Sequence, residues 1–214
     1  MSAQQHLEQV SVSDLRPTQM TVGAAEVSLK RSQWAQLKSK ARDKLLLSHW
    51  FPAVKGPQGR FFIVDHHHLG LALMHEAVKT VWVMQLADLS EQGAEMFWRV
   101  MEFHHWAHPY DEKGRRCEFS QIPQQLSQLR DDPYRSLAGE VRKAGGYAKD
   151  ASPYAEFLWA DFYRPLFRKA DLRSSGGLGL PESAVVEAVA LARSVKAQFL
   201  PGWSGVTSNL HKPL

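Results

Sequence analysis

The stretch RFFIVDHHHLGLALMHEAVK, Arg60–Lys79, predicts a strand that runs directly into a helix. Its apolar run from Phe61 to Val64 predicts a strand, and the residues that follow predict a short helix. One carboxylate and three consecutive histidines lie at the junction: Asp65, His66, His67 and His68. Because neighbouring side chains of a strand face opposite sides, three adjacent histidines cannot share one strand face. A turn into a helix at this point changes that.

The start of a helix gives this turn the properties of an anion site. Backbone N–H groups are unpaired there, and the helix dipole adds partial positive charge. Histidines at such a place can donate hydrogen bonds to phosphate oxygens or transfer a proton near neutral pH. Asp65 could cap the helix, orient a histidine or help hold a divalent cation. The alternative is a polar cap whose histidines are hydrogen-bonded and perform no chemistry.

The composition is that of a globular protein able to contact phosphates. The 214 residues are 44% hydrophobic and 22% charged, with ten histidines and a net charge of +4. A committed DNA-binding protein usually carries a denser basic stripe. A single cysteine, Cys117, excludes an intramolecular disulfide and a cysteine-rich zinc site. A zinc site made of the three histidines alone is also disfavoured, because adjacent residues rarely converge on one metal without a distant ligand.

The N-terminal segment MSAQQHLEQVSVSDLRPTQ lacks the apolar region of a secretory signal. No apolar run in the sequence approaches the roughly 20 residues of a membrane span. We therefore expect a cytoplasmic protein without membrane contact.

Strand and helix patterns alternate up to about residue 90. QVSVSDLRP alternates apolar and polar residues and predicts a short strand. A single amphipathic helix is predicted next, with Trp34, Leu37 and Leu45–Leu47 on its apolar side. The Gly-Pro-Gln-Gly sequence at 56–59 predicts a hairpin turn, and TVWVMQLAD predicts a further strand.

Beyond residue 90 the sequence predicts mostly helices. SEQGAEMFWRVMEFHHWAH predicts a helix capped by Ser90 and stopped by Pro109. Two helices broken at Asp132–Pro133 follow, and then an aromatic helix interrupted near Pro165. RSSGGLGLP is typical of a flexible linker, and a last helix carries Pro181 in its first turn.

The predicted fold class is α+β. A core with a small mixed sheet is expected over residues 8–90, and a mostly helical region packed on that core over residues 91–214.

The order of these elements resembles the ParB/sulfiredoxin-like fold. The resemblance rests on VSVSDLRPTQ, a helix, WFPAV, a hairpin, FFIVDHHHLGLAL and VWVMQLAD, and covers about residues 8–90. More narrowly, the chain is similar to the ParB-like nuclease family, whose members carry an aspartate followed by histidines at this turn. The helical half, with DDPYRSLAGEVRKAGGY and AEFLWADFYR, is similar to the same family.

This resemblance implies a turn that handles phosphates. Relatives in the wider superfamily include nucleotide-dependent phosphotransferases, one of which phosphorylates free serine, and proteins that hydrolyse CTP or act as nucleases. By position, Asp65, His66, His67 and His68 would be the catalytic residues. A nucleotide and a divalent cation such as Mg²⁺, with Asp65 as a metal ligand, are the implied cofactors.

Leu69 follows the histidines where the wider superfamily often has an arginine, so a phosphate-binding arginine would have to come from elsewhere. Relatives line the same pocket with the segment after the first strand. In that segment Arg16 could replace the arginine, and Glu26 is the candidate general base. The other candidate phosphate-binding residues are Thr18, Gln19, Thr21 and Gly23, whose backbone would permit close approach. The alternative is an ordinary loop, with Arg16 paired to a surface carboxylate.

The segment MEFHHWAHPYDEKGRR, residues 101–116, is a further candidate. His104 and His108 are four residues apart on a predicted helix face, but a histidine at 105 excludes the metalloprotease motif, which needs glutamate there. The alternative is that the aromatic residues pack in the core while the charges are solvated. If the loop folds over the histidine turn, a basic pocket would be completed by His105, His108, Lys113, Arg115 and Arg116.

We expect phosphodiester hydrolysis or nucleotide-dependent phosphoryl transfer, assisted by a metal ion. The partner would be the phosphate of a nucleotide or nucleic acid. The alternative is a non-catalytic DNA- or nucleotide-binding module of partition-protein type, which would bind in a salt-dependent way without turnover.

Overall fold

A mixed five-stranded sheet organises the first part of the chain. The computed structural model describes residues 7–173 and 179–205. Five strands lie in the order β1-β6-β4-β5-β2, and β3 pairs with β7 separately. The pairs β1/β6 and β4/β5 are antiparallel, whereas β4/β6 and β2/β5 are parallel. The strands are β1 (Leu7–Ser11), β2 (Leu15–Arg16), β3 (Thr21–Val22), β4 (Phe51–Lys55), β5 (Phe61–Ile63), β6 (Thr80–Asp88) and β7 (Arg130–Asp131).

Helices accompany the sheet and make up most of the second part of the chain, so the predicted α+β class with a small mixed sheet is confirmed. Across the described residues, no helix has the length and apolar character needed to cross a membrane. The helices are α1 (Ala24–Gln36), α2 (Ser39–Ser48), α3 (His67–His75), α4 (Ala94–Phe103), α5 (Pro133–Lys143), α6 (Ala155–Tyr163) and α7 (Glu182–Arg193).

The single helix predicted around Trp34 and Leu45 is wrong, since the structure has two helices there. α1 ends at Gln36, and Leu37 is extended with ψ of 136°. Leu37, Leu45 and Leu46 are all partly buried against one hydrophobic core. Tertiary packing of these leucines therefore decides where the helix ends, because packing outweighs helix propensity.

The helix predicted from Ser90 to Pro109 is shorter at both ends. Its N-cap is Gly93. Ser90 instead donates its backbone N–H and its hydroxyl to the Asp88 carboxylate, at 3.0 and 2.6 Å. At the other end His105 adopts a φ of 54°, a left-handed conformation that a helix cannot contain.

Asp132–Pro133 marks the start of one helix rather than a break between two. Residues 119–121 and 126–128 form short 3-10 turns, and β7 follows them. The helix predicted before Asp132 is therefore wrong, because β7 pairs with β3 and is extended. α5 begins at Pro133, and the Asp132 carboxylate caps it by accepting the N–H of Tyr134 at 3.0 Å.

The later helices follow the sequence pattern. α6 ends at Tyr163, two residues before Pro165, and Pro181 immediately precedes α7. The linker predicted over RSSGGLGLP contains residues 174–178, which lie outside the described residues.

The chain divides into two compact units, of which the first ends at Asp131 and the second begins at Asp132. The sequence places its division after residue 90, whereas residues 91–131 cluster with the first unit. The core of the second unit is built by α5, α6 and α7 around Trp159 and Tyr163.

Helix α3, which carries two of the histidines, is buried from His67 to Leu73. Gly70 permits this burial, because a Cβ there would lie only 3.0 Å from Leu126 Cδ1 and 3.2 Å from Phe51 Cε1. Leu69 is 6% exposed and packs in the core, so this position offers nothing to a ligand. Close packing thus fixes the helix start at the end of β5.

Candidate functional site

The turn between β5 and α3 has a strained backbone. His66 is the N-cap of α3, with φ of 63° and ψ of 21°. This left-handed region costs a residue with a Cβ roughly 1–2 kcal/mol. The Asp65 carboxylate accepts the N–H of His66 at 2.6 Å, and Asp65 itself is exposed. Asp65 therefore stabilises the N-cap residue and is not itself the cap. Strain of this kind concentrates at functional turns.

His67 is buried and bonded to the backbone. His67 is 3% exposed, and its Nε2 accepts the N–H of Thr18 at 3.1 Å. The Thr18 hydroxyl donates to the carbonyl oxygen of Ile63 at 2.8 Å. Burial lowers the pKa of His67 from 6.5 to about 3. The imidazole is therefore neutral near neutral pH, and its Nε2 is occupied by the bond from Thr18.

His68 holds the same segment at its other end. Its Nε2 accepts the N–H of Gly23 at 2.9 Å, and Glu26 Oε2 lies 3.7 Å from the same nitrogen. One ring nitrogen cannot accept a hydrogen bond from Gly23 and donate one to Glu26 at the same time, and the Gly23 contact is the shorter. The two buried histidines therefore fix the segment from Thr18 to Gly23 against α3.

A cluster of titratable side chains surrounds His66. The ring centroids of His66 and His49 lie 6.3 Å apart. Burial is the main cause of a lowered pKa for His66. The neighbouring Lys30 and His49 lower this pKa further, whereas Asp65 and Glu26 oppose the shift. We call these five residues, Glu26, Lys30, His49, Asp65 and His66, the turn cluster.

Lys30 and His49 were not among the residues selected from the sequence. Lys30 Nζ lies 3.5 Å from Glu26 Oε1, one helical turn away on α1. The spacing of Glu26 and Lys30 is a signal that sequence reasoning could have used. No such signal exists for His49, because it reaches His66 only through the packing of α2 against the sheet.

The predicted pocket segment contributes mainly its backbone. Thr18 and Gly23 meet the histidines through their N–H groups. Gln19 Nε2 donates to the carbonyl oxygen of Thr21 at 2.6 Å. Gly23 has φ of −83°, which any residue can adopt, so its conformation alone does not require glycine. Thr21 is 1% exposed, and its hydroxyl has no hydrogen-bond partner within residues 7–173 and 179–205.

Arg16 is engaged on its own edge strand, β2. Its Nη1 donates to the carbonyl oxygens of Ser13 at 2.9 Å and Leu15 at 3.1 Å. Burial lowers the pKa of Arg16, the charge of Arg60 lowers it further, and Asp14 opposes the shift. The structure thus places Arg16 beside Arg60 and Asp14.

The loop after α4 reaches the segment that the histidines hold. The His108 N–H donates to the carbonyl oxygen of Thr18 at 2.8 Å, and His108 pairs with Gln19 in a short parallel bridge. The His108 ring stacks on Tyr110 with 4.5 Å between centroids. His104 and His108 do not share a helix face, because α4 ends before both of them.

The basic side chains of this loop are paired locally. Arg115 donates twice to Asp111 Oδ2, at 2.8 and 2.6 Å, and Arg116 donates to Glu102 at 2.5 Å. Burial opposes the shift, but hydrogen bonds from Arg115 and the Lys113 N–H lower the pKa of Asp111 to about 2. His105 and Lys113 are exposed. Of the predicted basic pocket, the described contacts bring His108 to the segment beside the histidine turn.

No group of three or more His, Cys, Asp or Glu side chains is placed to hold a metal ion anywhere in the described ranges. Asp65 is exposed, but one of its oxygens already accepts the His66 N–H. A divalent cation at this turn would therefore need further oxygen ligands, such as those that Mg²⁺ commonly takes from substrate phosphates.

A mixed sheet whose β5–α3 turn carries an aspartate and histidines defines an α+β protein of the ParB-like class. Residues 8–165 match the family described as "Putative ParB-like nuclease", and the chain belongs to that family. The predicted resemblance is confirmed, and the match extends into the helical region. A crystal structure of protein Atu1540 from Agrobacterium tumefaciens is 41% identical, with a TM-score of 0.86 over 95% of this chain and 100% of that one. No curated protein matches the chain.

Proposed function

We propose that this protein is a hydrolase of nuclease type, which takes a phosphodiester of a nucleotide or nucleic acid at the turn cluster. The observation that carries the proposal is the grouping at the start of α3, where His49 lies beside His66 and the Glu26 carboxylate lies between Lys30 and His68. Phosphoryl chemistry depends on charge neutralisation and positioning more than on a strong nucleophile.

Binding would use two sources of positive charge. The first turn of α3 presents backbone N–H groups and the positive end of the helix dipole. The Lys30 ammonium adds a second positive group, whose charge the Glu26 carboxylate at 3.5 Å partly offsets. A phosphate oxygen at this place would be attracted by both.

His66 is the proton acceptor in this proposal. Its lowered pKa leaves the imidazole neutral at physiological pH, so it can take a proton from an attacking water. The bond from the His66 N–H to Asp65 stabilises the left-handed backbone that carries this imidazole. His67 and His68 act by positioning the loop and do not take part in the chemistry.

A divalent cation such as Mg²⁺ would supply further neutralisation of the phosphate charge, with Asp65 as the carboxylate that helps hold it. The same phosphate contacts would serve a nucleotide cofactor if the reaction is a phosphoryl transfer instead of a hydrolysis.

A non-catalytic DNA- or nucleotide-binding module is the second candidate. It is favoured by the commitment of the buried His67 and His68 to backbone N–H groups, which removes two of the three histidines from acid–base chemistry. Such a module would bind through the α3 N-terminus and Lys30 with strong salt dependence and no turnover.

The test compares turnover and binding in one set of variants. Wild-type protein is incubated with supercoiled plasmid, CTP, ATP, or ADP plus serine, each with Mg²⁺, Mn²⁺ or EDTA. The proposal expects cleavage of a phosphodiester that falls about 100-fold or more in His66→Ala, because general base catalysis contributes that much. Lys30→Ala should weaken substrate binding.

His75→Ala is the matched control, since His75 is an exposed histidine at the opposite end of α3. It should keep wild-type activity. Binding without turnover would support the non-catalytic binding module. Absence of both binding and turnover with every ligand would contradict both candidate functions.

A further inference from the structure

Two arginines of the second unit share one carboxylate. Arg135 and Arg142 lie two turns apart on α5, and Glu156 lies on α6. The Arg135 Nη2 pairs with Glu156 Oε2, and the Arg142 Nε lies 2.9 Å from Glu156 Oε1. Each carboxylate oxygen therefore faces one guanidinium, although the Arg142 Nε makes no hydrogen bond within the described residues. Two guanidinium charges against one carboxylate leave one positive charge in excess.

The excess charge is buried with unpaired donors. Arg135 is 8% exposed, and its guanidinium lies over the Phe157 ring, 5.4 Å from the centroid. Its Nε and Nη1 have no hydrogen-bond partner in the part of the chain that the structure describes. Charged N–H groups that are buried without an acceptor are costly, so natural proteins satisfy them with a ligand, water or ion.

We propose that this arginine cluster, Arg135, Arg142 and Glu156, binds a small oxyanion, a phosphate or carboxylate group. A singly charged oxyanion would balance the excess positive charge and supply acceptors for the Arg135 donors. Access from solvent is on the side of Arg142 and Glu156, whose side chains are 28% and 19% exposed. The site shares no residue with the turn cluster and does not depend on the function proposed there.

Thermal unfolding of the full chain tests the site. The melting temperature is measured in sodium phosphate, sodium acetate and sodium chloride at equal pH and ionic strength. Phosphate or acetate should raise the wild-type Tm by a few degrees over chloride, because a ligand that binds only the folded state stabilises it. The larger of the two rises assigns the site to phosphates or to carboxylates.

Arg135→Gln and Arg142→Gln should abolish that rise, and the second variant remains informative if the first does not fold. Arg168→Gln is the control, since its side chain is 86% exposed and pairs only with Asp171 in the described residues. His66→Ala should keep the rise. The inference is wrong if neither anion shifts the wild-type Tm, if Arg142→Gln keeps the shift, or if only His66→Ala loses it.

Discussion

The Nε2 atom of His67 lies 3.1 Å from the backbone nitrogen of Thr18 and accepts its N–H. The imidazole thus serves as the hydrogen-bond acceptor that a backbone carbonyl of a neighbouring strand would otherwise provide. The residues are 49 positions apart in the chain, so the bond closes a long loop of the first unit. A histidine at the centre of a candidate site is in this case part of the scaffold.

His67→Ala should therefore destabilise the protein by about 3 kcal/mol, since it leaves the Thr18 N–H buried without an acceptor and opens a cavity. His67→Gln should cost clearly less, because its amide oxygen can take the place of Nε2. Urea unfolding of both variants measures the difference. Equal losses would show that the acceptor at position 67 is not what matters.

Folding stability should fall on mild acidification. The pKa of His67 is about 3 in the folded protein and about 6.5 when exposed, so the unfolded chain binds more protons between these values. The free energy of unfolding should therefore decrease as the pH falls below about 6.5, and continue to decrease towards about 3. His67→Gln should show a shallower decrease over this window when unfolding is followed in urea at several pH values. Parallel curves for the two proteins would contradict the assignment.

The pH dependence of turnover should report on His66. Its pKa is lowered, mainly by burial, so the base form is already present at pH 7. Activity should be flat around neutrality and should fall only when the pH drops below the ordinary histidine value of 6.5. Initial rates of phosphodiester cleavage measure this limb. Loss of activity centred above pH 6.5 would assign the base to another group.

Arg164→Ala should destabilise the second unit by about 3 kcal/mol. Asp132 is 1% exposed, and Arg164 Nη2 lies 2.9 Å from its Oδ2. Removal of the arginine therefore leaves a buried carboxylate without its positively charged partner. Arg168→Ala, which removes an exposed arginine from the same region, should leave the unfolding midpoint nearly unchanged. Similar midpoints for both variants would argue against a buried pair.

Gly202→Ala should be more destabilising than Gly59→Ala. Both glycines have positive φ, 73° and 69°, so both substitutions carry a strain of roughly 1–2 kcal/mol. A Cβ at 202 would also lie 2.1 Å from the carbonyl oxygen of Ala148, whereas nothing lies within 4 Å of a Cβ at 59. Denaturant midpoints of the two variants separate the clash from the strain.

Local patterns in the sequence predict the elements that local forces determine. The β4–β5 hairpin and the start of α5 at Pro133 follow from glycine, proline and capping residues close by. The turn into α3 follows from the change of apolar pattern after Val64. The break at Leu37 and the strand β7 were not predictable in this way. Each is decided by packing or pairing with residues far along the chain, as Thr21 pairs with Arg130.

The same distinction applies to the site. The Asp-His-His-His turn is visible in the sequence, but three identical residues have different environments: His66 is half-buried, and His67 and His68 are buried. Which of them is available depends on a segment 45 to 49 residues earlier. His49 reaches the turn cluster through tertiary packing alone, which a single sequence does not display.

The bonds to His67 and His68 also set a rule for sequence variation. Thr18 and Gly23 enter these two bonds through their backbone N–H groups, so the bonds themselves place no demand on the side chains at 18 and 23. Proline is the exception, because it has no N–H to donate. Relatives that keep both histidines should therefore never carry proline at these two positions, whereas the Thr18 side chain is constrained separately by the bond from its hydroxyl to the Ile63 carbonyl oxygen.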